Sequence, residues 1–375
     1  MKFYIYIVRL LATLQFFLLY AFVMHNESLI SFVSQIVLIC GVLLIISILV
    51  YHTRFDLLIL LLYLYLLCVG LFSYELMIRL ICFVMMLSTF ELGRIIHIDK
   101  YTYKYISISY ALQAILLIIV SFSPMAYSYD YEGNNGYFLA LGFSNPNTAG
   151  VVLFSIILTL MAFLFNKTFS LFKNTSVVLL ILTIILLRLL YLTYSRTSYI
   201  VCVFTIVLFI IFKLRKNISP FSKITIILIS LTPIIYYYIY MYVYSNDFFT
   251  DIELLGKPLL SGRDVVFDAT NAIWTDHWFG NVDELMFSNS HNSSVTILAN
   301  IGWIGFVMVT FYYINRLLFY NGMGRSNICV LAMLALFFHG CNEAVMFTGG
   351  SIFYIYVLNI CLLSSYTFSK YNNSR

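Results

Sequence analysis

The chain has 375 residues, of which 62% are hydrophobic and 10% charged, with a formal net charge of +5. A soluble domain carries roughly 25% charged residues, so this composition excludes one. The basic excess does not mark a nucleic-acid partner either, because the Lys and Arg residues fall in short segments between apolar runs and form no basic, aromatic-rich face.

Apolar runs of about 17–25 residues, each able to cross a hydrocarbon core of roughly 30 Å, recur from one end to the other. Spans are predicted near 3–24, 29–51, 55–73, 76–93, 105–124, 138–165, 175–193, 198–213, 224–243, 293–314, 327–347 and 350–368. The run at 3–24 is longer than the signal-peptide core of about 7–15 residues and lacks a small-residue cleavage site, so it reads as a permanent span. The expected fold is an all-α, polytopic bundle of twelve transmembrane helices acting as one unit. The seven cysteines form no C-x-x-C pair and read as small buried apolar side chains.

The connections predict the orientation. Lys2, Arg9, Arg54, Arg94, Lys100, Lys104, Lys167, Lys173, Arg316 and Arg325 fall on one side with most of the other Lys and Arg residues, whereas only Arg196, Lys257 and Arg263 fall on the other. The positive-inside rule then places both termini in the cytoplasm. Most acidic residues, including those of the long loop 244–292, fall outside.

In chain order, the first candidate site is Gly142-Phe143-Ser144-Asn145-Pro146-Asn147-Thr148-Ala149-Gly150, at the outer start of the sixth span. Pro146 suits a first helical turn. Asn145 and Asn147 either belong to a capped helix start or line a polar cavity, since non-helical backbone at membrane depth needs protein or water around it. Arg188 lies eight residues before Arg196, roughly 12 Å deeper along a helix. An arginine there costs about 2.5–3.5 kcal/mol on insertion scales, so it faces a cavity, pairs with a carbonyl, or snorkels. Arg196 itself sits in the outer turn Ser195-Arg196-Thr197-Ser198. Arg79 reads as a partner of Glu75 one turn away.

Within the long loop, Ser261-Gly262-Arg263-Asp264 reads as a helix start with Ser261 as N-cap. Val266, Ala269 and Ile273, with Phe267, Trp274 and Trp278, follow at near-helical spacing, and Gly280 ends the pattern. The expected element is an amphipathic helix with an aromatic side at the lipid interface. Arg263 in its first turn opposes the macrodipole; either an anion bound there resolves the conflict, because a helix N-terminus and a guanidinium both suit phosphate, or solvent screening makes the placement harmless. His291-Asn292 closes the loop where the chain turns apolar again. An imidazole with an ordinary pKa near 6.5 suits proton abstraction. His339 and Glu343, four apart, share a helix face and read as a hydrogen-bonded pair rather than a zinc site, which needs more ligands. Asp130-Tyr131-Glu132 and Asp251-Ile252-Glu253 are D-x-E pairs of the kind common in solvated loops. The chain has no P-loop, no G-x-G-x-x-G and no G-x-S-x-G.

Taken together, these elements resemble the O-antigen ligase and polysaccharide polymerase superfamily of bacterial membranes. The ligase branch carries H-[N/S/Q]-x9-G-x-x-[G/T/Y], and His291-Asn292, nine residues, Gly302, two residues and Gly305 match it. Ser195-Arg196, Ser261-Gly262-Arg263 and Asn145-Pro146-Asn147 resemble recurrent elements of the same superfamily, and His339 with Glu343 sit where many polymerases carry a polar pair. The resemblance covers roughly residues 138–347 and implies a GT-C-like membrane glycosyltransferase of the bacterial cytoplasmic membrane. It implies an undecaprenyl-diphosphate-linked oligosaccharide as donor and acceptor, no metal or other cofactor, and a flippase and chain-length regulator as partners. His291, Arg263 and Arg196 would be catalytic; Arg188, Asn145, Asn147, Asn292, Ser261, His339 and Glu343 would bind substrate. The expected activity is polymerisation of repeat units into a capsular, exopolysaccharide or O-antigen chain. A ligase that moves a finished glycan and a flippase for the same lipid are the rivals. Glycosyl transfer by these residues requires Arg196, Arg263 and His291 to meet at the extracytoplasmic edge of the bilayer, whereas a flippase is expected to distribute polar residues along many spans.

Overall fold

The computed structural model describes residues 2–51, 57–71, 74–130, 136–143, 145–165, 173–214, 221–246, 248, 252–254, 257–258, 263, 265–268, 278–279, 291–322, 327–343 and 355–363. The chain is all-α. Its helices are α1 (Lys2–Val23), α2 (Glu27–Tyr51), α3 (Leu57–Gly70), α4 (Tyr74–Ile95), α5 (Lys100–Ser121), α6 (Pro146–Phe165), α7 (Lys173–Leu192), α8 (Arg196–Leu214), α9 (Lys223–Ser245), α10 (Ser293–Gly322), α11 (Asn327–His339) and α12 (355–363). Six of them, α1, α2, α5, α6, α9 and α10, are long and apolar enough to cross a membrane; α3, α7, α8 and α11 contain shorter apolar stretches.

Each helix overlaps a predicted segment, but most run past its limits: α4 covers Tyr74–Ile95 against 76–93, α5 starts at Lys100 rather than 105, and α10 ends at Gly322 rather than 314. Residues 138–143 and Asn145 are not helical as expected: Tyr127–Asp130 pairs antiparallel with Gly136–Leu139, and the helix starts only at Pro146. The reason is local. Asn145 Oδ1 accepts from the Asn147 N–H at 2.8 Å, capping a helix whose first residue is a proline. In the long loop, the described residues contain one helical turn, Val265–Asp268, rather than a helix visible from Ser261 to Gly280. Phe267 does not face lipid as expected. It is buried against the rings of Tyr237 and Tyr240, with centroids 5.2 and 5.3 Å away, and fastens the loop to α9. Ser261, Asp264 and Gly280 lie outside the described residues, as do the Arg79 and Glu75 side chains.

The core is built around α6, which packs between α5, α7 and α8 and is buried on nearly all sides. Its run of Val, Leu, Ile and Phe has no polar face, as expected of a helix enclosed by others. A buried polar network joins α1, α5 and α12. Asn359 Nδ2 donates to Tyr110 Oη at 3.1 Å and to Gln15 Oε1 at 3.4 Å, and Tyr356 Oη donates to Gln113 Oε1 at 3.3 Å. Interhelical hydrogen bonds of this kind hold helices together where burial against lipid supplies little drive.

The two ends of the bundle differ. At one end Arg9 of α1 reaches Asp99 and Thr102 at the start of α5. Arg316 Nε lies 2.6 Å from Glu91 Oε1, and Arg94 reaches the same carboxylate at 2.9 Å. Asn321 brackets Phe221 with two hydrogen bonds. Arg316 is therefore not in a solvated connection, as its sequence position implies. It is buried in α10, its guanidinium 5.3 Å from the Tyr312 ring. A carboxylate between two guanidiniums is what allows an arginine to be enclosed there. Glu91→Ala should cost about 3–5 kcal/mol by leaving Arg316 buried and uncompensated. Glu91→Ala combined with Arg316→Leu should recover most of that loss, as read from thermal unfolding in detergent micelles.

Candidate functional site

At the other end, the site is organised by a break in α10. Gly302 has φ 65° and ψ −173°, a conformation almost confined to glycine. Ser294 and Thr310 nevertheless line one small cleft, together with Ser230, Pro233, Ser293, Ile297, Tyr313 and Phe337. Sixteen residues of straight helix would hold Ser294 and Thr310 about 24 Å apart. The chain therefore bends back on itself at Gly302. Residues 293–301 form a short arm, and 303–322 form a helix of about 30 Å that runs toward Arg316 and Asn321.

This corrects the predicted span 293–314 and the depth of His291. The short arm is about 14 Å long and leads from the bundle interior out to Gly302, so His291-Asn292 is recessed rather than placed at the mouth. The hydrogen bonds agree. Asn292 Nδ2 donates to Pro233 O of α9 at 2.8 Å and to Cys341 O at 3.0 Å. Pro233 lies 12 residues, about 18 Å of helix, before the end of α9 at Ser245. Proline cannot donate to the Ile229 carbonyl, and Thr232 Oγ1 fills that carbonyl instead at 2.5 Å.

Asn292 is also the N-cap of the short arm. Its Oδ1 accepts from the Ser294 and Val295 N–H groups at 2.9 and 3.1 Å. The side chain is fully buried with four such bonds, so the structure gives it a clamping position rather than one open to substrate. The spacing His-Asn-x9-Gly-x-x-Gly thus acquires a physical meaning: a cap, two and a half turns of helix, and a break.

His291 precedes the cap in the left-handed region, φ 54°, which histidine tolerates better than most residues. Its Nδ1 lies 3.6 Å from Glu343 Oε2, an ion-pair distance too long for a hydrogen bond. Nδ1 is buried while 30% of the side chain remains exposed. Glu343 is held in turn: its carbonyl accepts from Ser293 Oγ at 3.0 Å.

The turn between α7 and α8 forms the opposite wall. Tyr194 has φ 53° and lets the chain reverse. Ser195 Oγ and Ser198 Oγ are 2.9 Å apart, and Ser198 Oγ is 2.7 Å from His339 Nε2. His339 is completely buried against the Phe154 ring at 5.0 Å. The sequence reading placed it with substrate and paired it with Glu343. In the structure it is enclosed, bonds Ser198, and fixes the turn that carries Arg196, while Glu343 reaches His291. A Cβ at Gly150 of α6 would lie 2.4 Å from Ser195 Cβ, so only glycine permits this approach. Asn147, half-buried and three residues before Gly150, lies on the same helix face; Asn145 serves as cap.

The third wall is the tyrosine-rich end of α9. Tyr240 Oη accepts from the Arg263 N–H at 3.2 Å, and Asn342 Oδ1 accepts from Tyr236 Oη at 2.8 Å and from Arg263 Nη1. Arg196, half-buried, is within electrostatic reach of Arg263, Tyr236 and Tyr240, and Arg263 in turn of His339. The described residues therefore bring Arg196, Arg263, His291, His339 and Glu343 into one cluster. Arg188 stays out: it is exposed on α7 with its guanidinium 5.3 Å from the Tyr191 ring. Sequence reasoning missed Asn342, Tyr236 and Tyr240, whose only signal was a polar residue beside His339 and a run of tyrosines that reads as an interfacial belt.

Chemically, two guanidiniums that repel one another gain from an anion between them, and an imidazole beside a carboxylate suits proton transfer. Among the described residues no three His, Cys, Asp or Glu side chains converge on a metal position. The side chains of the two D-x-E pairs lie outside the described residues. No protein-family model matches the chain, and neither a curated protein nor a solved structure matches it.

Two outcomes test this geometry. Asn292→Asp keeps the cap acceptor but removes the donor to Pro233 and Cys341. It should destabilise by about 1–3 kcal/mol through the unpaired carbonyls, and Asn292→Ala by more, as measured by thermal unfolding. Gly150→Ala should lower stability by about 1–3 kcal/mol through overpacking and raise hydrogen exchange at 193–198, leaving exchange in α1 and α2 unchanged.

Proposed function

We propose that the chain is a membrane glycosyltransferase that polymerises polyprenyl-diphosphate-linked oligosaccharide repeat units on the outer face of the bacterial cytoplasmic membrane. In this reading the twelve helices make twelve crossings, both termini are cytoplasmic, and the cluster of Arg196, Arg263 and His291 faces outward. The observation that carries it is the juxtaposition of two guanidiniums with an imidazole–carboxylate pair in a recess near the end of the bundle opposite Glu91, Arg94 and Arg316.

The chemistry follows from those groups. The bond between the anomeric carbon and the donor phosphate breaks, and a hydroxyl of the acceptor glycan attacks that carbon. Charge builds on the departing lipid diphosphate, where Arg196 and Arg263 act as fixed donors that need no reorganisation. Asn342 and Tyr236 hold Arg263 in place from its other side. His291 takes the proton of the attacking hydroxyl, with Glu343 stabilising the imidazolium that results.

Ligase-type transfer of a finished glycan to a second acceptor is the rival that a specific observation favours, since the His-Asn-x9-Gly-x-x-Gly pattern is of the ligase type. That pattern here supplies a cap and a chain reversal, a task common to either activity. A flippase accounts less well for polar groups gathered near one end.

Reconstitution with purified lipid-linked repeat units separates the three. A product ladder is expected; single transfer to a different acceptor would establish a ligase, and translocation alone a flippase. His291→Gly, which relieves the positive φ and removes the imidazole, should fold normally and lose chain lengthening. Arg263→Lys should lower turnover by about 100-fold, the scale for one electrostatic donor, because an ammonium does not reproduce bidentate phosphate binding. A normal ladder from either variant would remove that residue from the mechanism.

A further inference from the structure

The turn after α11 is tied to the start of α10 at two neighbouring points. Cys341 O accepts from Asn292 Nδ2 at 3.0 Å, and Glu343 O accepts from Ser293 Oγ at 3.0 Å. Asn342 stands between those two carbonyls, and its own N–H donates to His339 O at 3.1 Å. Its backbone is therefore held on both sides by the segment that follows His291. The side chain leaves from a fixed origin, as a preorganised donor requires.

The carboxamide is fixed as well. Its Oδ1 accepts from Tyr236 Oη at 2.8 Å and from Arg263 Nη1. A guanidinium can only donate, so the amide oxygen, not the nitrogen, faces Arg263. Turned over, the amide would set its own N–H groups against a cation. Both lone pairs of Oδ1 are thus in use. Nδ2 keeps two N–H donors and meets no acceptor among the described residues. It is not enclosed: Asn342 is part-buried, and the buried polar atoms that lack a partner lie on other residues. Asn292 uses its donors and its acceptor inside the fold, whereas Asn342 uses only its acceptor.

What the two donors fit follows from their neighbours. Arg263 lies against the same carboxamide, and Arg196 is within electrostatic reach of Arg263. The ligand atom suited to such a group is a negatively charged oxygen. A third cation would add to the repulsion between the guanidiniums, whereas a neutral amide adds hydrogen bonds without adding charge. We infer that Asn342 is a substrate-binding residue: its Nδ2 donates to a non-bridging oxygen of the donor lipid's diphosphate, beside Arg263. The inference rests on the glycosyltransferase reading for the identity of the diphosphate, and on the geometry for the oxyanion contact.

A double-mutant cycle separates this contact from the hold that Oδ1 keeps on Arg263. Inorganic diphosphate is titrated calorimetrically into the full-length protein in nanodiscs of zwitterionic lipid. Asn342→Ala should weaken binding by about tenfold, the scale of one hydrogen bond to a charged group. Arg263→Ala should retain weak binding through Arg196 and Asn342, and Asn342→Ala in that background should weaken it again by about tenfold. A residual indifferent to Asn342, or no residual at all, would make Asn342 a support for Arg263 alone and overturn the contact. Asn342→Asp keeps the acceptor for Tyr236 and Arg263, so its apparent melting temperature should match the parent's. Its carboxylate replaces the donor, so diphosphate binding should be lost; binding at the parent's strength, or a parent that binds no diphosphate, would also overturn the contact. Phosphatidylglycerol in the nanodisc should leave the titration unchanged, whereas competition would assign Nδ2 to an ordinary headgroup and overturn the diphosphate assignment. Asn342-dependent diphosphate binding in a protein that forms no ladder from lipid-linked repeat units would sink the polymerase reading and leave the oxyanion contact standing.

Discussion

The arrangement depends on one side chain, the Asn292 carboxamide. Its oxygen takes two N–H groups at the start of the short arm and its nitrogen feeds two carbonyls, one on α9 and one after α11. A carboxamide is the only neutral side-chain group that both donates twice and accepts twice. It can therefore tie three segments at one buried point without leaving a charge in an apolar interior. Remove that knot and the arm has no cap, the turn after α11 loses its tie, and the Pro233 carbonyl is exposed to a dry environment.

Around that knot the bundle solves one problem repeatedly: how to keep irregular backbone inside a structure with little water. The Pro233 kink borrows a threonine hydroxyl, the α10 break borrows Tyr65, and the α7–α8 turn borrows His339 through Ser198. Each loan places a polar side chain near the recess. The recess is polar because broken helices demand it, and the guanidiniums and imidazole enter a space whose hydrogen-bond partners already exist. The far end uses a different device, a carboxylate enclosed between two arginines, which locks α4 to α10 with charge rather than with neutral bonds.

Much of the candidate site was legible because its residue types are out of place in an apolar chain. Arg196, Arg263, His291, His339 and Glu343 stood out for that reason alone, and the structure gathers them. Their individual tasks were less legible. His339 and Glu343 share a helix face in a regular continuation of α11, but the helix ends at His339 and the next four residues turn, so the two stay within electrostatic reach while His339 bonds Ser198 and Glu343 faces His291. For Arg188 a cavity, a carbonyl partner and snorkelling were all open, because it sits within a span; periodicity alone did not reveal that it is exposed on α7. Asn342, Tyr236 and Tyr240 passed as ordinary, because a tyrosine run at a helix end has an interfacial explanation that asks for nothing more.

The sequence by itself determined the all-α class of the molecule, its long apolar helices and the positions of most helix starts. Those depend on local quantities: transfer free energy summed over some twenty residues, a proline at a first turn, an asparagine before it. Tertiary structure alone decided that α10 folds back at Gly302, that His291 is recessed and that Tyr65 donates to the Ile301 carbonyl beside the break. A glycine in an apolar run is equally compatible with a straight helix. Only the partners on α3, on α9 and just after α11 supply the hydrogen bonds that the bent form uses.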